Sequence, residues 1–368
     1  MTSADVKGRV NMARTRGLLR TLFIPALLLA MLVAIASCTV PQNNFAPASD
    51  RAQSVMSLYI FLIVAASIVG GGVLFGTLYL IVRYRARPGV QARQIHGNNL
   101  LEIGWTLVPI FVLVIIAIPT IIGIAGAARP PRDEALHIRV VGHQWWWEVE
   151  YEDIGPNGGA LRTANEIFVP VGREIAITLE SNDVIHSFWV PKLVGKTDAI
   201  PNRVNRLESF TPFEIGTFYG QCAEFCGAAH ALMRFRVHVL SQGDFNRWVQ
   251  ALQTPPAPVG GLAEEGRQLF FGAAGCIACH AIAGTIAQGQ LGPDLTRFGS
   301  RDTLGAGVFE NTPENLHQWI YDLRSMKPIP DEPRFMPSFG TLPADDPRHL
   351  TNEQVDALVA YLESMRVE

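Results

Sequence analysis

The sequence predicts a multidomain membrane protein in which a two-helix transmembrane hairpin is followed by a β-sandwich and a mainly helical C-terminal segment. Three observations predict it. Hydrophobic residues fill 48% of the 368 positions and charged residues only 17%, which is too apolar a balance for an ordinary soluble chain. The excess is concentrated in two uncharged runs, 57–82 and 103–128, each longer than the ~20 residues a helix needs to cross a bilayer. Beyond residue 133 the pattern changes to β-branched and aromatic runs, and beyond 262 to helical periodicity.

The N-terminus is expected to be a signal. Lys7, Arg9, Arg14, Arg16 and Arg20 precede an uncharged stretch from Thr21 to Ser37, a charged n-region and a short h-region. The stretch closes on "IASC", which resembles the lipobox of bacterial lipoproteins. Residues 1–37 then read as a lipoprotein-type signal peptide cleaved before Cys38, with an uncleaved third helix as the alternative.

Residues 38–132 hold the N-terminal segment and the hairpin. The loop between the spans carries Arg83, Arg85, Arg87 and Arg93 and no acidic residue, so the positive-inside rule makes it cytoplasmic. Everything after the second span then lies outside the cytoplasm. Glu102 is the ionisable residue at the edge of the second span, where an acid is a functional candidate; interaction with the helix dipole is the plainer reading.

Residues 133–250 contain "HIRVVGHQWWWEVEY", "EIAITLES" and "MRFRVHVL", with partial alternation and Gly/Pro turns between them. That is the pattern of a β-sandwich. Residues 251–262 are rich in proline and glycine and read as a linker. In residues 263–368, Thr312 followed by Pro313 starts a helix, and Thr351 with Gln354 forms a capping box before Val355, Leu358, Val359 and Leu362.

Two motifs carry chemistry. "CIACH", residues 276–280, is the haem c attachment pattern: Cys276 and Cys279 form thioethers to the porphyrin and His280 ligates iron. "LGPDL" follows it, and "RFMPSFG" supplies Met336 as second axial ligand, with Met326 as the rival. A thioether opposite an imidazole raises the potential and suits an electron carrier. His317 sits in a helical pattern and reads as a packing or surface residue. This segment resembles the class I cytochrome c family, an all-α domain. It holds 15 acidic against 8 basic residues, a charge that would attract a basic electron donor or simply aid solubility.

In "GQCAEFCGAAHALMRF", Cys222, Cys226, His230 and Met233 lie within twelve positions. Thiolates, imidazoles and a thioether together select copper, and two cysteines allow two ions to be bridged. His186 in "SNDVIHSFWVP", before a strand pattern, is the candidate for the second imidazole. A disulfide would leave His186, His230 and Met233 without a purpose, and a zinc site has no use for methionine. His143 and His238 fit no such pattern and read as structural or surface residues.

Cys222-x-Glu224-x-Cys226-x-x-x-His230-x-x-Met233, with His186 upstream, resembles the CuA site of the cytochrome c oxidase subunit II family. The likeness runs from about Gln53 to Trp248 and includes "GHQWWW" and "KTDAIPNR". It implies a cupredoxin-like sandwich in which Cys222 and Cys226 bridge a dinuclear copper. His186 and His230 would bind one copper each, Met233 would complete one, and the Glu224 carbonyl the other. The Glu224 side chain would be free to reach a magnesium ion shared with subunit I. Trp145 matches the aromatic through which electrons enter, although the family often has Tyr or Phe where Trp146 stands. Glu102, before Trp105, Thr106 and Pro109, matches a glutamate at the mouth of a proton path into subunit I.

Neither span contains a histidine, so the haems and copper that reduce dioxygen belong to a partner. The implied partners are subunit I, a subunit III, a cytochrome c donor and the lipid bilayer, without nucleic acid. The implied place is the bacterial inner membrane with both domains outside the cytoplasm, and the implied activity is dioxygen reduction coupled to proton pumping. A copper arm of a nitric oxide reductase, or a lipid-anchored carrier that docks transiently, would share both motifs.

Overall fold

The computed structural model describes residue 29 and residues 41–366, apart from 90, 92, 93, 95, 156, 157 and 255–258. The signal-peptide reading and Cys38 lie outside the described residues, as do Arg93 and the prolines of the linker.

Helix α1 spans Asp50–Arg83 and α2 spans Asn99–Ala127; both are long and apolar enough to cross a membrane. Each starts before the uncharged run seen in the sequence, because a polar cap lies upstream of it. Ser49 Oγ accepts from the Ala52 amide, and Asn98 Oδ1 accepts from the Leu100 and Leu101 amides. At 1.5 Å per residue the helices run about 51 and 44 Å, beyond the ~30 Å hydrocarbon layer. Their ends therefore emerge into the polar region. Glu102 is exposed in the first turn of α2.

The outer ends of the hairpin are stitched to the sandwich. Arg51 donates to the carbonyls of Ser209 (3.1 Å) and Gly126 (2.9 Å) and pairs with Glu208 at 3.0 Å. One side chain thus joins α1, the end of α2 and the extramembrane domain. The Thr211 amide donates to the Asp50 carboxylate at 2.7 Å and fixes the same corner.

Ten strands build the sandwich: β1 Leu136–His143, β2 Trp146–Tyr151, β3 Leu161–Ala164, β4 Glu166–Pro170, β5 Ile175–Ser181, β6 His186–Val190, β7 Val194–Ala199, β8 Asn205–Arg206, β9 Gly216–Cys222 and β10 Arg234–Leu240. One sheet has the order β3-β2-β1-β5-β8 and the other β4-β10-β9-β6-β7. The β1–β5 and β10–β4 pairs are parallel. Alternation places Ile138, Val140, Ile177, Leu179, Phe235, Val237 and Val239 inward, and Trp147, Phe188 and Phe235 pack edge to face or stacked in the core.

The sandwich does not continue as β-structure to residue 250. Helix α3, Gln242–Gln253, closes it, with Ser241 Oγ accepting from the Asp244 amide. Phe245, Trp248, Val249 and Leu252 recur at helical spacing and pack on the sandwich core.

In the C-terminal segment α4 (Leu262–Phe271) packs against α6 (Asn352–Ser364), with α5 (Pro313–Met326) beside them. Thr312 caps α5 with Pro313 in its first turn, and the Thr351–Gln354 capping box is closed in both directions. Among its helices lies a small antiparallel pair, Thr303–Leu304 with Phe309–Glu310.

Candidate metal centre and cofactor cavity

The soft-donor motif folds into one corner because its parts end neighbouring strands. Cys222 closes β9, His186 opens β6, and β6 pairs with β9 in the register Phe188 to Cys222. The intervening loop carries Cys226, and a single 3-10 turn, His230–Leu232, returns the chain to Met233 at the start of β10. The His186 ring lies flat against β1: a Cβ on Gly142 would stand 2.7 Å from its Cδ2, so the second residue before Gln144 has to be glycine.

The donors converge. The sulfurs of Cys222 and Cys226 are 3.9 Å apart and both thiols are free; a disulfide would hold them near 2.05 Å. His186 Nδ1 is 3.9 Å from the Cys222 sulfur, His230 Nδ1 is 3.5 Å from the Cys226 sulfur, and Met233 Sδ is 3.8 Å from that same sulfur. The Glu224 carbonyl is 3.2 Å from the Cys222 sulfur, while its side chain is exposed. The ligand atoms of His186, Cys222 and Cys226 all lie within 4.8 Å of one another. Two thiols, two imidazoles and a thioether meeting at one point fit a copper pair.

The electrostatics favour metal uptake. Contact with the Cys226 sulfur lowers the Cys222 thiol, against the cost of burial. The Cys226 thiol is raised in turn, first by that same contact and then by burial. Thiols bind metal as thiolates, so copper uptake releases their protons. Burial lowers the His186 imidazole, but the 2.7 Å contact of Nε2 with the Asp183 carboxylate and the nearby Cys222 sulfur together outweigh it and leave the group raised. With the proton held on Nε2, Nδ1 presents its lone pair to the sulfurs. Asp183 was invisible to motif reasoning, although its place three residues before His186 is a local signal.

The second centre is a cavity of about 830 Å3, walled by Cys276, Cys279, His280 and Met336 together with apolar residues such as Phe298, Leu316 and Phe339. Met326 is not part of its wall. His280 Nδ1 donates to the Pro293 carbonyl at 2.8 Å, which leaves Nε2 free to bind iron. Close contact requires the glycine of "LGPDL": a Cβ on Gly292 would stand 2.7 Å from His280 Cε1. Burial lowers the His280 imidazole and pushes the Cys276 thiol up to about 12, so both stay neutral. Arg324 sits in the wall with its buried Nε unpartnered. An apolar slot with two thiols, a free imidazole nitrogen and a thioether fits a haem.

The two centres adjoin. Trp145 is 4% exposed, and its indole N–H donates to the Cys226 carbonyl at 3.0 Å. The Phe335 ring, next to Met336 in sequence, stacks on that indole with centroids 5.4 Å apart. Trp145 also lines the haem-sized cavity. Sequence reasoning found Trp145 but missed Phe335, Lys327 and Glu166. Lys327 Nζ donates to the Trp145 carbonyl at 2.9 Å, and burial brings its ammonium down to about 7 despite the nearby Cys226 sulfur. His317 faces Asp356 and Tyr321, His143 pairs with Glu148 and stacks on Trp146, and His238 lies buried beside Glu166.

Three family models match the chain. They are the transmembrane domain of cytochrome c oxidase subunit II over residues 38–122, its periplasmic domain over 155–240, and cytochrome c over 263–366. A cytochrome c oxidase subunit 2 of Alkalihalophilus pseudofirmus is 37% identical over 358 residues, covering 94% of this chain and 97% of its own. That of Bacillus subtilis is 32% identical over 366 residues, covering 93% and 97%. Among solved structures, the periplasmic domain of subunit II of cytochrome oxidase of Bradyrhizobium japonicum aligns at 34% identity with a TM-score of 0.30, covering 33% of this chain and 94% of that one.

Proposed function

The chain belongs to the cytochrome c oxidase subunit II family, and from that premise we propose that it is the electron-receiving arm of a bacterial haem-copper oxidase. Its C-terminal domain takes electrons from cytochrome c, and its sandwich passes them to subunit I, where dioxygen is reduced and protons are pumped. The oxidase has its dioxygen-reducing site in that partner subunit. We divide the chain at residues 37, 132, 253 and 262, the third boundary lying past the expected 250 because α3 packs on the sandwich as far as Leu252. We place it in the inner membrane with both domains on the periplasmic side, and expect a subunit III in the assembly.

His186, Cys222, Cys226, His230, Met233 and the Glu224 carbonyl would hold the dinuclear CuA copper, and Cys276, Cys279, His280 and Met336 the haem c. When bound, both groups supply reversible one-electron chemistry. The rest is the work of the chain. Asp183 and the Pro293 carbonyl keep the protons of His186 and His280 on the nitrogens that face away from metal. The apolar walls around both sites exclude water, so little solvent needs to reorganise when charge moves. The exposed Glu224 carboxylate is free to meet a magnesium ion at the boundary with subunit I. Glu102, at the start of α2, would collect protons for that subunit.

The observation that carries the reading is that one aromatic residue, Trp145, lines the cavity of Cys276, Cys279, His280 and Met336 and hydrogen-bonds the backbone of Cys226. Rapid mixing of the intact oxidase with reduced cytochrome c tests it. The haem c bands should change before the copper absorption; copper reduced first would refute the order.

A further inference from the structure

Two buried ionisable side chains lie in the contact between the sandwich and the C-terminal domain, and neither belongs to a metal-binding set. Lys327, 2% exposed, donates to the carbonyls of Trp145 at 2.9 Å and Gly305 at 3.2 Å. Among the described residues no carboxylate pairs with it. Glu166, 1% exposed, accepts from the Thr303 amide (2.8 Å), the Thr303 hydroxyl (2.7 Å) and the Asp302 amide (3.3 Å), with His238 Nε2 at 3.6 Å. The contacts are reciprocal. An acid of the sandwich holds backbone amides of the C-terminal domain, and an amine of the C-terminal domain holds a backbone carbonyl of the sandwich. Between them the Arg234 amide of β10 donates to the Ala306 carbonyl at 2.9 Å.

Burying an ammonium and a carboxylate is unfavourable unless each is hydrogen-bonded, and such groups specify one arrangement more than they add stability. A domain that swings on its linker has no need of them. In the docked pose the Phe335 ring covers Trp145, at 5.4 Å between centroids and 18° from parallel, and Arg334 lies over the outer face of that ring at 4.5 Å. No soluble protein can touch Trp145 while this cover is in place.

We propose that Lys327 and Glu166 are the positioning residues of a permanent dock that holds Phe335 on Trp145, making this ring pair the bridge between the domains and closing Trp145 to soluble donors. The inference rests on the electron route given above. Transfer across the bridge moves one electron, oxidising the C-terminal domain and reducing the sandwich, and neither makes a bond nor moves a proton. External donors are thereby confined to the C-terminal domain.

The test uses the intact oxidase complex with two readouts: deuterium exchange at the amides of Arg234, Asp302 and Thr303, and the rate of electron arrival in the sandwich after photoreduction of the C-terminal domain. Lys327→Met should raise exchange at these amides and slow transfer by about tenfold, the scale on which small misplacements slow reactions between held groups. Lys327→Arg, which keeps the donors, should restore both. Glu166→Gln is the second lesion of the dock, should Lys327→Met fail to assemble. Phe335→Leu should slow transfer while exchange stays at the wild-type level, an effect that loss of structure would not give. Unchanged exchange and rate in Lys327→Met, faster exchange with full-rate transfer, or full-rate transfer in Phe335→Leu would each overturn the proposal alone. Wild-type protein whose sandwich is reduced without passage through the C-terminal domain would instead overturn the parent route.

Discussion

The indole N–H of Trp145 donates to the carbonyl of Cys226 at 3.0 Å, so the ring that faces the C-terminal domain is anchored to the backbone of a sulfur ligand. Gln144 reinforces the contact by donating to the same carbonyl at 2.8 Å. The aromatic ring and the metal loop therefore form one unit, and a change in either is felt by the other.

Trp145→Phe keeps an aromatic face for Phe335 but removes the N–H. The loss of one buried hydrogen bond costs roughly 1–3 kcal/mol locally, enough to loosen the Cys226 loop without unfolding the sandwich. Copper content should stay at the wild-type level while electron arrival in the sandwich slows. Metal analysis beside rapid-mixing kinetics measures both.

Met336 and Met326 are distinguished by the cavity wall, which includes only the first. Met336→Leu should lower the haem potential by roughly a hundred millivolts or more, a fraction of the ~0.8 V range that axial ligands command. Met326→Leu should leave it in place. Redox titration of the two variants decides the assignment, and a fall in the Met326 variant alone would reverse it.

Asp183→Asn removes the carboxylate that holds the His186 proton on Nε2. Outer partners of metal-binding histidines are worth about 10–100-fold in affinity. Copper should be lost to a competing chelator at correspondingly lower chelator concentration, with haem attachment unaffected.

Glu166 gives the dock a pH dependence of known sign. Burial raises its carboxyl, but the nearby His238 ring and the hydrogen bonds from Thr303 outweigh that and hold it below the ordinary 4.5. A carboxylate with a depressed folded-state pKa stabilises fully above its unfolded value and loses that stabilisation as pH falls through its folded value. The melting temperature of wild type should drop more steeply below pH 4.5 than that of Glu166→Gln. The difference should correspond to roughly 1.5–3 kcal/mol, as for a hydrogen bond to a charged group. Parallel curves would contradict this role.

Local chemistry was legible in the sequence where spacing is local. Cys222 to Met233 and Cys276 to His280 announce themselves because a short loop and a single turn bring those side chains together whatever the rest of the fold does. His186 was legible only as a candidate, since the pairing of β6 with β9 that delivers it spans 36 residues. Helix α3 has a local signal that the preceding strands obscure: Ser241 with Asp244, then Phe245, Trp248, Val249 and Leu252, is a capped amphipathic pattern. The dock was not legible. Lys327 and Trp145 are 182 positions apart, and neither "MKP" nor "QWW" carries a sign of its partner. Such contacts follow from the pose of two domains, which no periodicity encodes.

The most direct test of the account is electron paramagnetic resonance of the intact oxidase, with copper and covalent haem counted in the subunit. The account expects a mixed-valence signal from one unpaired electron shared by two coppers, lost on substitution of Cys222 or Cys226, together with a single covalent haem on the C-terminal domain. A signal from one isolated copper, or Cys222 and Cys226 joined as a disulfide in the metal-loaded protein, would contradict it.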